Sequence, residues 1–390
     1  MSADADDLAR VGSALERWCR QREWKGPDPY EALNGRRMPP TPTPTSRRIA
    51  IQLLKRSPID FRKPLGVDPQ HNSATIAHAL AGYSAGGFVA EPERLESAGW
   101  ALRRLEDLRV RSCSEPAWGY HFDVETRFFR YGPETPNTIA TAFAGHALLD
   151  ADEEFGLAGA RELAVGSARF FLESIEQTEG PGGAFFGYYP GDRTPIHNAS
   201  MLAASLLARV GAATGDGDFL AAAEAAVGYA LAHQRPDGSW PYAEGGKGDW
   251  IDNFHTGYVL DALLRCAEAL DSNEVREAWA RGLDYYGRAL FDPDGAPRFT
   301  DTSRWPIDGQ CVAQAIETFV RAAAVEPDWE RQAIACFRFG LARMRRRDGA
   351  FIFQRRRRWA NRTPHMRWVQ APMFRALALL DRHLDRRIHG

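Results

Sequence analysis

Asn198-Ala-Ser-Met-Leu-Ala-Ala-Ser-Leu-Leu-Ala-Arg-Val-Gly-Ala-Ala213 is the stretch that decides the fold. It is apolar or small on nearly every side, so a helix built from it offers water almost no face and must be wrapped by other helices. The following run, residues 218–234, carries charge on one side only, as an outer helix does. A buried helix followed by an amphipathic one is a hairpin, and repeated hairpins of this kind make a toroid.

The pattern repeats from about residue 66 onward. Each unit opens with a Gly- and aromatic-rich segment, passes through a short polar cluster, and continues into an Ala/Leu-rich helix and then a second helix. Asn72, Asn137, Asn198, Asn253, Asp308 and Gln370 mark the polar clusters, at separations of 65, 61, 55, 55 and 62 residues. Such spacing accommodates two helices of roughly 15–20 residues with their connections. Asp237-Gly238, Asp294-Gly295 and Asp348-Gly349 recur in step and supply turns. The expected architecture is therefore all-α: an (α/α)6 toroid of about six hairpins, with short β-like ribbons at one rim. Residues 8–22 read as a short amphipathic helix, and the Pro/Thr run Met38–Thr45 as a surface arm. We expect residues 1–65 to be a helix and arm packing on a toroid of residues 66–390.

Composition narrows the function classes. Forty-nine Lys and Arg against 51 Asp and Glu leave a formal charge of −2, which argues against whole-molecule attraction to nucleic acid. The five cysteines are scattered, with no paired spacing and no Cys/His cluster, so neither a disulfide framework nor a zinc site is expected. No cofactor or metal requirement is read from the chain. Residues 1–10 lack the basic and apolar regions of a signal peptide, and no apolar run reaches the roughly 18 residues needed to cross a bilayer. The expected location is the cytoplasm. The Arg-rich runs Arg345–Arg347 and Arg355–Arg358 read either as a solvated face or as a peripheral contact with an anionic membrane surface.

If the hairpins close into a ring, every inner-helix N-terminus points to one rim, where the partial positive charges favour anions. The residues just before those helices are then the site candidates. For direct chemistry they are His197, His255, Asp252, Asp308 and Tyr189. For substrate binding they are Trp118, Tyr120, Asn137, Tyr188, Arg193, Asn198, Trp240, Trp250, Asn253, Trp305, Arg367 and Trp368. Aromatic faces beside carboxylates, amides, histidines and arginines suit a sugar ring, which has apolar C–H faces and a belt of hydroxyls. Each candidate also has a structural reading: Asn198, Asn253 and Asp308 as helix caps, and the Trp and Tyr residues as plugs between hairpins.

Trp118-Gly-Tyr-His-Phe-Asp123 with Thr135-Pro-Asn-Thr138, Tyr189-Pro-Gly-Asp-Arg-Thr-Pro-Ile-His-Asn-Ala199 and Trp250-Ile-Asp-Asn-Phe-His-Thr-Gly-Tyr258 resemble the VpsJ-like polysaccharide biosynthesis family of bacterial six-hairpin proteins. Asp28–Asn34, Pro306-Ile-Asp308 and Met366-Arg-Trp368 resemble its arm and later repeats. The resemblance implies an (α/α)6 toroid and a carbohydrate context, and carries no catalytic assignment. Gln234-Arg-Pro-Asp-Gly-Ser-Trp240 resembles the Q-x3-G-x-W repeat of squalene-cyclase-like toroids, but in one copy and without the acidic DxDD motif.

Four functions stay open on the residues. A glycan-modifying enzyme acts by proton abstraction beside a carboxylate (epimerase or lyase), with Arg193 and Asn198 holding the carboxylate and His197, His255, Tyr188 or Tyr189 moving protons. A glycoside hydrolase instead needs two facing carboxylates, for which Asp252, Asp308 and Asp192 are candidates. The alternatives are a terpenoid-cyclase-like enzyme with a deep aromatic cavity and a non-catalytic glycan-binding scaffold.

Overall fold

A computed structural model describes residues 2–389 and contains fourteen α-helices among them. In chain order these are α1 (Ser2–Arg20), α2 (Pro44–Arg56), α3 (Arg62–Leu65), α4 (Ser73–Ala85), α5 (Glu91–Asp107), α6 (Thr138–Phe155), α7 (Ala160–Ser174), α8 (His197–Thr214), α9 (Gly217–Ala232), α10 (Asn253–Ala269), α11 (Asn273–Ala289), α12 (Gly309–Ala323), α13 (Glu330–Arg343) and α14 (Ala371–His389). Helices α4, α6, α8, α10, α12 and α14 form the inner ring, which closes where α14 packs on α4. Every residue of α8 from His197 through Ala208 is buried, as its all-round small and apolar composition requires. The architecture is the (α/α)6 toroid.

The outer ring holds α5, α7, α9, α11 and α13, and its sixth seat is taken by α1, which packs on α14. The Asp-Gly turns show the equivalence. Gly238, Gly295 and Gly349 all have left-handed φ (94°, 79° and 96°). A Cβ at Gly238 would meet the backbone of Arg281 on α11, one at Gly295 that of Ala335 on α13, and one at Gly349 that of Ala14 on α1. The same turn thus seats the next outer helix in each case, and the helix after Gly349 is the first one of the chain. Leu8, Val11, Leu15 and Trp18 of α1 accordingly belong to the main core.

The Pro/Thr run does not stay extended. Thr43 caps α2 in a reciprocal capping box with Ser46 (3.1 and 3.0 Å), and Pro44 occupies the first turn, where its missing N–H costs nothing. Helix α2 packs Ala50, Ile51 and Leu54 on the 3₁₀ turn Glu31–Asn34. Short ribbons stand at the inner-helix N-terminal rim: β1 (Val124–Glu125) pairs antiparallel with β2 (Arg130–Tyr131), and β3 (Gln177–Gly180) with β4 (Gly183–Phe186). A three-stranded piece joins β5 (Ile307–Asp308), β6 (Gln354–Arg355) and β7 (Ala360–Asn361).

Side-chain caps start four inner helices. Asn72 accepts from Ala74 N–H (3.0 Å), Asn137 from Ala140 (2.9 Å), Asp252 from His255 (3.0 Å) and Asp308 from Gln310 (2.9 Å). The cap reading fails for two residues, because Asn253 is the first residue of α10 and Asn198 the second of α8, both past the cap position. Asn253 donates to Leu290 O (3.1 Å) and accepts from the Tyr286 hydroxyl (3.1 Å). Gln370 instead braces the Phe351 backbone in both directions (2.8 and 2.9 Å).

Candidate functional site

All six inner-helix N-terminal ends surround one axial cavity of about 170 Å³. Helices α4 and α6 contribute His78 and Phe143, each the sixth residue of its helix, and α10 contributes Tyr258 at the same offset. At 3.6 residues per turn that shared offset points all three at the axis. Asn198 comes from α8, Phe254 and His255 from the first turn of α10, Gln310 from α12, and Arg367 and Trp368 from the π-turn Met366–Gln370 ahead of α14. Rim segments add Tyr30, Tyr120, Tyr131, Tyr188 and Tyr242. The β1–β2 hairpin lies across these aromatics, with Phe129 on Tyr188 (centroids 4.7 Å apart) and Phe128 on Tyr242 (5.5 Å). For scale, a ~150 Å³ cavity holds one benzene ring, so this space suits a single six-membered ring.

His255 is the best-positioned base. Its Nδ1 lies 2.6 Å from Asp252 Oδ2, while Asp252 Oδ1 accepts the His255 backbone N–H and the Trp250 indole donates to Oδ2 (3.1 Å). A carboxylate on Nδ1 fixes the tautomer with its proton there and leaves Nε2 as a lone-pair acceptor. Nε2 has no protein partner among the described residues. Phe254 and Tyr242 pack on the imidazole (3.9 and 4.6 Å).

Arg367 is the cation of the cavity. Asp28 holds it through Nε and through Nη2 (3.0 Å), a bidentate pair that leaves Nη1 without a partner among the described residues. The guanidinium stacks over Tyr120 at 4.8 Å and Trp368 at 5.3 Å. Burial raises the Tyr120, Tyr188, Tyr242 and Tyr258 phenols, so they keep their protons at neutral pH. The Tyr258 hydroxyl accepts from Gln310 Nε2 (2.6 Å) and retains its own proton to donate. Three polar atoms at the wall are buried without a partner among the described residues: His78 Nδ1, Tyr131 Oη and Asn198 Oδ1. Burial drops His78 to about 3, so this imidazole is neutral. Beneath the cavity, Arg375 and Arg321 grip Glu317 (2.8 and 3.0 Å), and Gln314 donates to Asp261 (2.8 Å).

Of the residues singled out in the sequence, Tyr120, Tyr188, Asn198, His255, Arg367 and Trp368 line the cavity, with Asp252 directly behind His255. Asp308 sits one layer back, accepting from Gln354 (2.7 Å) and the Trp368 indole (3.1 Å), and burial raises its carboxyl. Trp250 stacks on Tyr242 (4.8 Å), and Tyr189 packs outside on Tyr131 (5.0 Å). The remaining candidates lie elsewhere. His197 Nε2 pairs with Glu244 (2.8 Å) beside Tyr229 and His233, away from the axis. Arg193 is exposed on a turn, while Asp192 ties that turn to Tyr188 N–H (2.8 Å). The Trp118 and Trp240 indoles donate to Leu105 O and Ala230 O (both 2.8 Å), and Trp305 lies under Arg304. Asn137 and Asn253 are engaged as described. Gln234 braces Gly238 O and Ala278 O (3.0 and 2.8 Å), making the Q-x3-G-x-W element a structural device.

Tyr30, His78, Tyr131, Tyr258 and Gln310 were not among the predicted site residues. For His78 and Tyr258 the available signal was register, since each lies five positions past its inner-helix start; Tyr30, Tyr131 and Gln310 carry no such signal. No cavity-lining residue is a carboxylate. Among the described residues, no group of three or more His, Cys, Asp or Glu is placed to hold a metal ion.

Neither a family model nor a curated protein matches this chain. Solved structures do. The cellobiose 2-epimerase of Spirochaeta thermophila is 18% identical, with 81% of this chain and 87% of that one covered and a TM-score of 0.60. A GH76 α-mannanase of Bacteroides thetaiotaomicron is 13% identical over 82% and 88%, at 0.63. The unsaturated glucuronyl hydrolase of Bacillus sp. GL1 is 15% identical over 100% and 98%, at 0.61. At these identities the likeness establishes the toroid.

Proposed function

We propose that this protein is a glycan-modifying enzyme that takes a proton off a carbon of one sugar ring in the axial cavity, which an epimerase replaces on the opposite face and a lyase follows by breaking the neighbouring glycosidic C–O bond. The observation that carries the reading is His255, held by Asp252 with Nε2 free, in a cavity shared with Arg367 and proton-bearing tyrosines and lined by no carboxylate. Hydrolysis by two facing carboxylates lacks its pair there, since Asp252 is occupied by His255 and Asp308 by Gln354 and Trp368. Proton abstraction needs a base near neutrality, a cation for the enolate-like charge and an acid for the return step. His255 Nε2 takes the proton from the carbon beside a carbonyl or carboxylate. Arg367 and the converging helix N-termini stabilise the charge that develops, and Tyr258 or Tyr188 donates a proton, to the opposite face of the carbon in epimerisation or to the departing glycosidic oxygen in elimination. An acidic sugar suits the positive field.

Sharing a toroid with a cellobiose 2-epimerase and an unsaturated glucuronyl hydrolase supports a carbohydrate substrate. We read the work as polysaccharide biosynthesis or modification, which the VpsJ-like resemblance supports, and the location as the cytoplasm. We also read the Arg-rich C-terminal segment as a peripheral contact with an anionic membrane surface. The test is incubation with uronate oligosaccharides and reducing disaccharides in deuterated water. Deuterium at uronate C5 or at C2 of a reducing sugar, or new ultraviolet absorbance from elimination, is the expected result. Unaltered sugars across both panels, with binding seen by ligand-observed NMR, would overturn catalysis in favour of a glycan-binding scaffold.

A further inference from the structure

Seven large hydrophobic side chains are exposed among the described residues, and five of them belong to adjoining segments, with Ile49, Leu53 and Phe61 lining one surface groove. Ile49 (53% exposed) and Leu53 (68%) lie one helical turn apart on the outer side of α2; Ile59 (62%) and Phe61 (45%) follow α2, and Trp359 (41%) caps the β6–β7 hairpin. These segments are tied together, because Asn361 Nδ2 donates to both Lys55 O (3.0 Å) and Ser57 O (2.8 Å). Residues 44–65 contain six Lys or Arg and one carboxylate, Asp60, while residues 343–362 contain nine Arg and one carboxylate, Asp348. A chain of net charge −2 has therefore gathered a strongly cationic set of residues in the segments that carry these exposed apolar side chains. Arg56, Lys63, Arg357, Arg358 and Arg362 are exposed and make no ion pair among the described residues.

We infer that this composite face docks the protein on an anionic lipid surface, with Ile49, Leu53, Phe61 and Trp359 entering the headgroup boundary and the surrounding cations meeting lipid phosphates. The inference deepens the peripheral-contact reading by moving its apolar anchor to α2, outside the Arg-rich segment. Aliphatic side chains on a helix with basic flanks suit an acyl boundary, and an exposed Trp suits the interface. A nucleic-acid surface gives Ile49 and Leu53 nothing to bury against, since its sequence-independent contacts are to phosphates. The face adjoins the cavity mouth: Lys55 Nζ donates to the Tyr30 hydroxyl (2.5 Å) and lies over Trp368 (5.2 Å), and Arg47 pairs with Glu125 of β1 (2.8 Å). Docking therefore sets the cavity opening beside the headgroup layer.

The test is flotation of the full chain with phosphatidylglycerol-containing vesicles and with purely zwitterionic ones. We expect binding only to the anionic vesicles, weakened by salt, and at least tenfold weaker for Ile49→Ser/Leu53→Ser and for Arg357→Glu/Arg358→Glu. Unchanged melting temperatures verify that the variants fold, and turnover of a soluble sugar separates loss of docking from failure of the catalytic reading. Absence of wild-type binding at low salt overturns the inference. So does vesicle binding that ignores the Ile49/Leu53 change, or equal retention on duplex DNA that is likewise insensitive to it, which would reassign the face to polyanions.

Discussion

His197 and His255 both open an inner helix in neighbouring repeats, yet they do opposite things. His197 is the first residue of α8 and His255 the third of α10. At about 100° per residue, two steps turn a side chain through roughly 200°, from the seam between hairpins to the toroid axis. His197 consequently meets Glu244 and is buried, and that burial lowers its pKa. His255 meets Asp252 and keeps one nitrogen for the cavity. Equivalence in a repeat is thus not equivalence in a site: the helical phase decides which histidine is available for chemistry.

The sharpest way to break the comparison is exchange of each histidine. His255→Ala should lower sugar turnover by about 10²–10⁴-fold, the typical contribution of a positioned base, as read by deuterium incorporation. Comparable turnover in that variant would remove His255 from the chemistry. Arg367→Met should cost about 3–5 kcal/mol in denaturant unfolding, because Asp28 is left buried without its bidentate partner. Arg367→Lys keeps the charge but not the fork, and should fold better than the Met variant while still losing turnover.

Acid should act through the other buried imidazoles. His78, His146 and His365 have pKa values lowered by burial, so their neutral forms are favoured in the folded state. Stability they contribute is complete above the unfolded value near 6.5 and is lost as pH falls below it, as the unfolded chain takes up protons first. His365, fully buried with both ring nitrogens unpartnered, is the cleanest probe. His365→Leu should flatten the slope of stability against pH between 6 and 4.5 by about 1.4 kcal/mol per pH unit. The smallest effect belongs to His197→Ala: turnover within about twofold of wild type, and a stability loss of about 1–2 kcal/mol for the bond to partly exposed Glu244. A turnover loss matching that of His255→Ala would sink the phase argument.

Much of the toroid was legible because it rests on local rules. All-round apolar runs such as 198–213 can only be inner helices, and Asp-Gly turns recur where three of the outer helices, α11, α13 and α1, are seated. The site was only partly legible. Asp252 was legible as a candidate for chemistry, but its place as the cap of α10 and its bond to His255 Nδ1 depend on side-chain placement that spacing does not give. Trp118 and Trp240 look like sugar platforms in sequence, yet both indoles close backbone carbonyls inside the core.

By itself the sequence determined the six-hairpin ring, its polar N-terminal rim and the residue types gathered there, since propensity, capping and hydrophobic period act over a few residues at a time. Tertiary structure alone decided that α1 fills the sixth outer seat, that Asp28 reaches Arg367 across the ring closure, and that α2 and the β6–β7 hairpin join their exposed faces. Each of those joins residues about 300 or more positions apart, and only closure of the ring brings them within bonding distance.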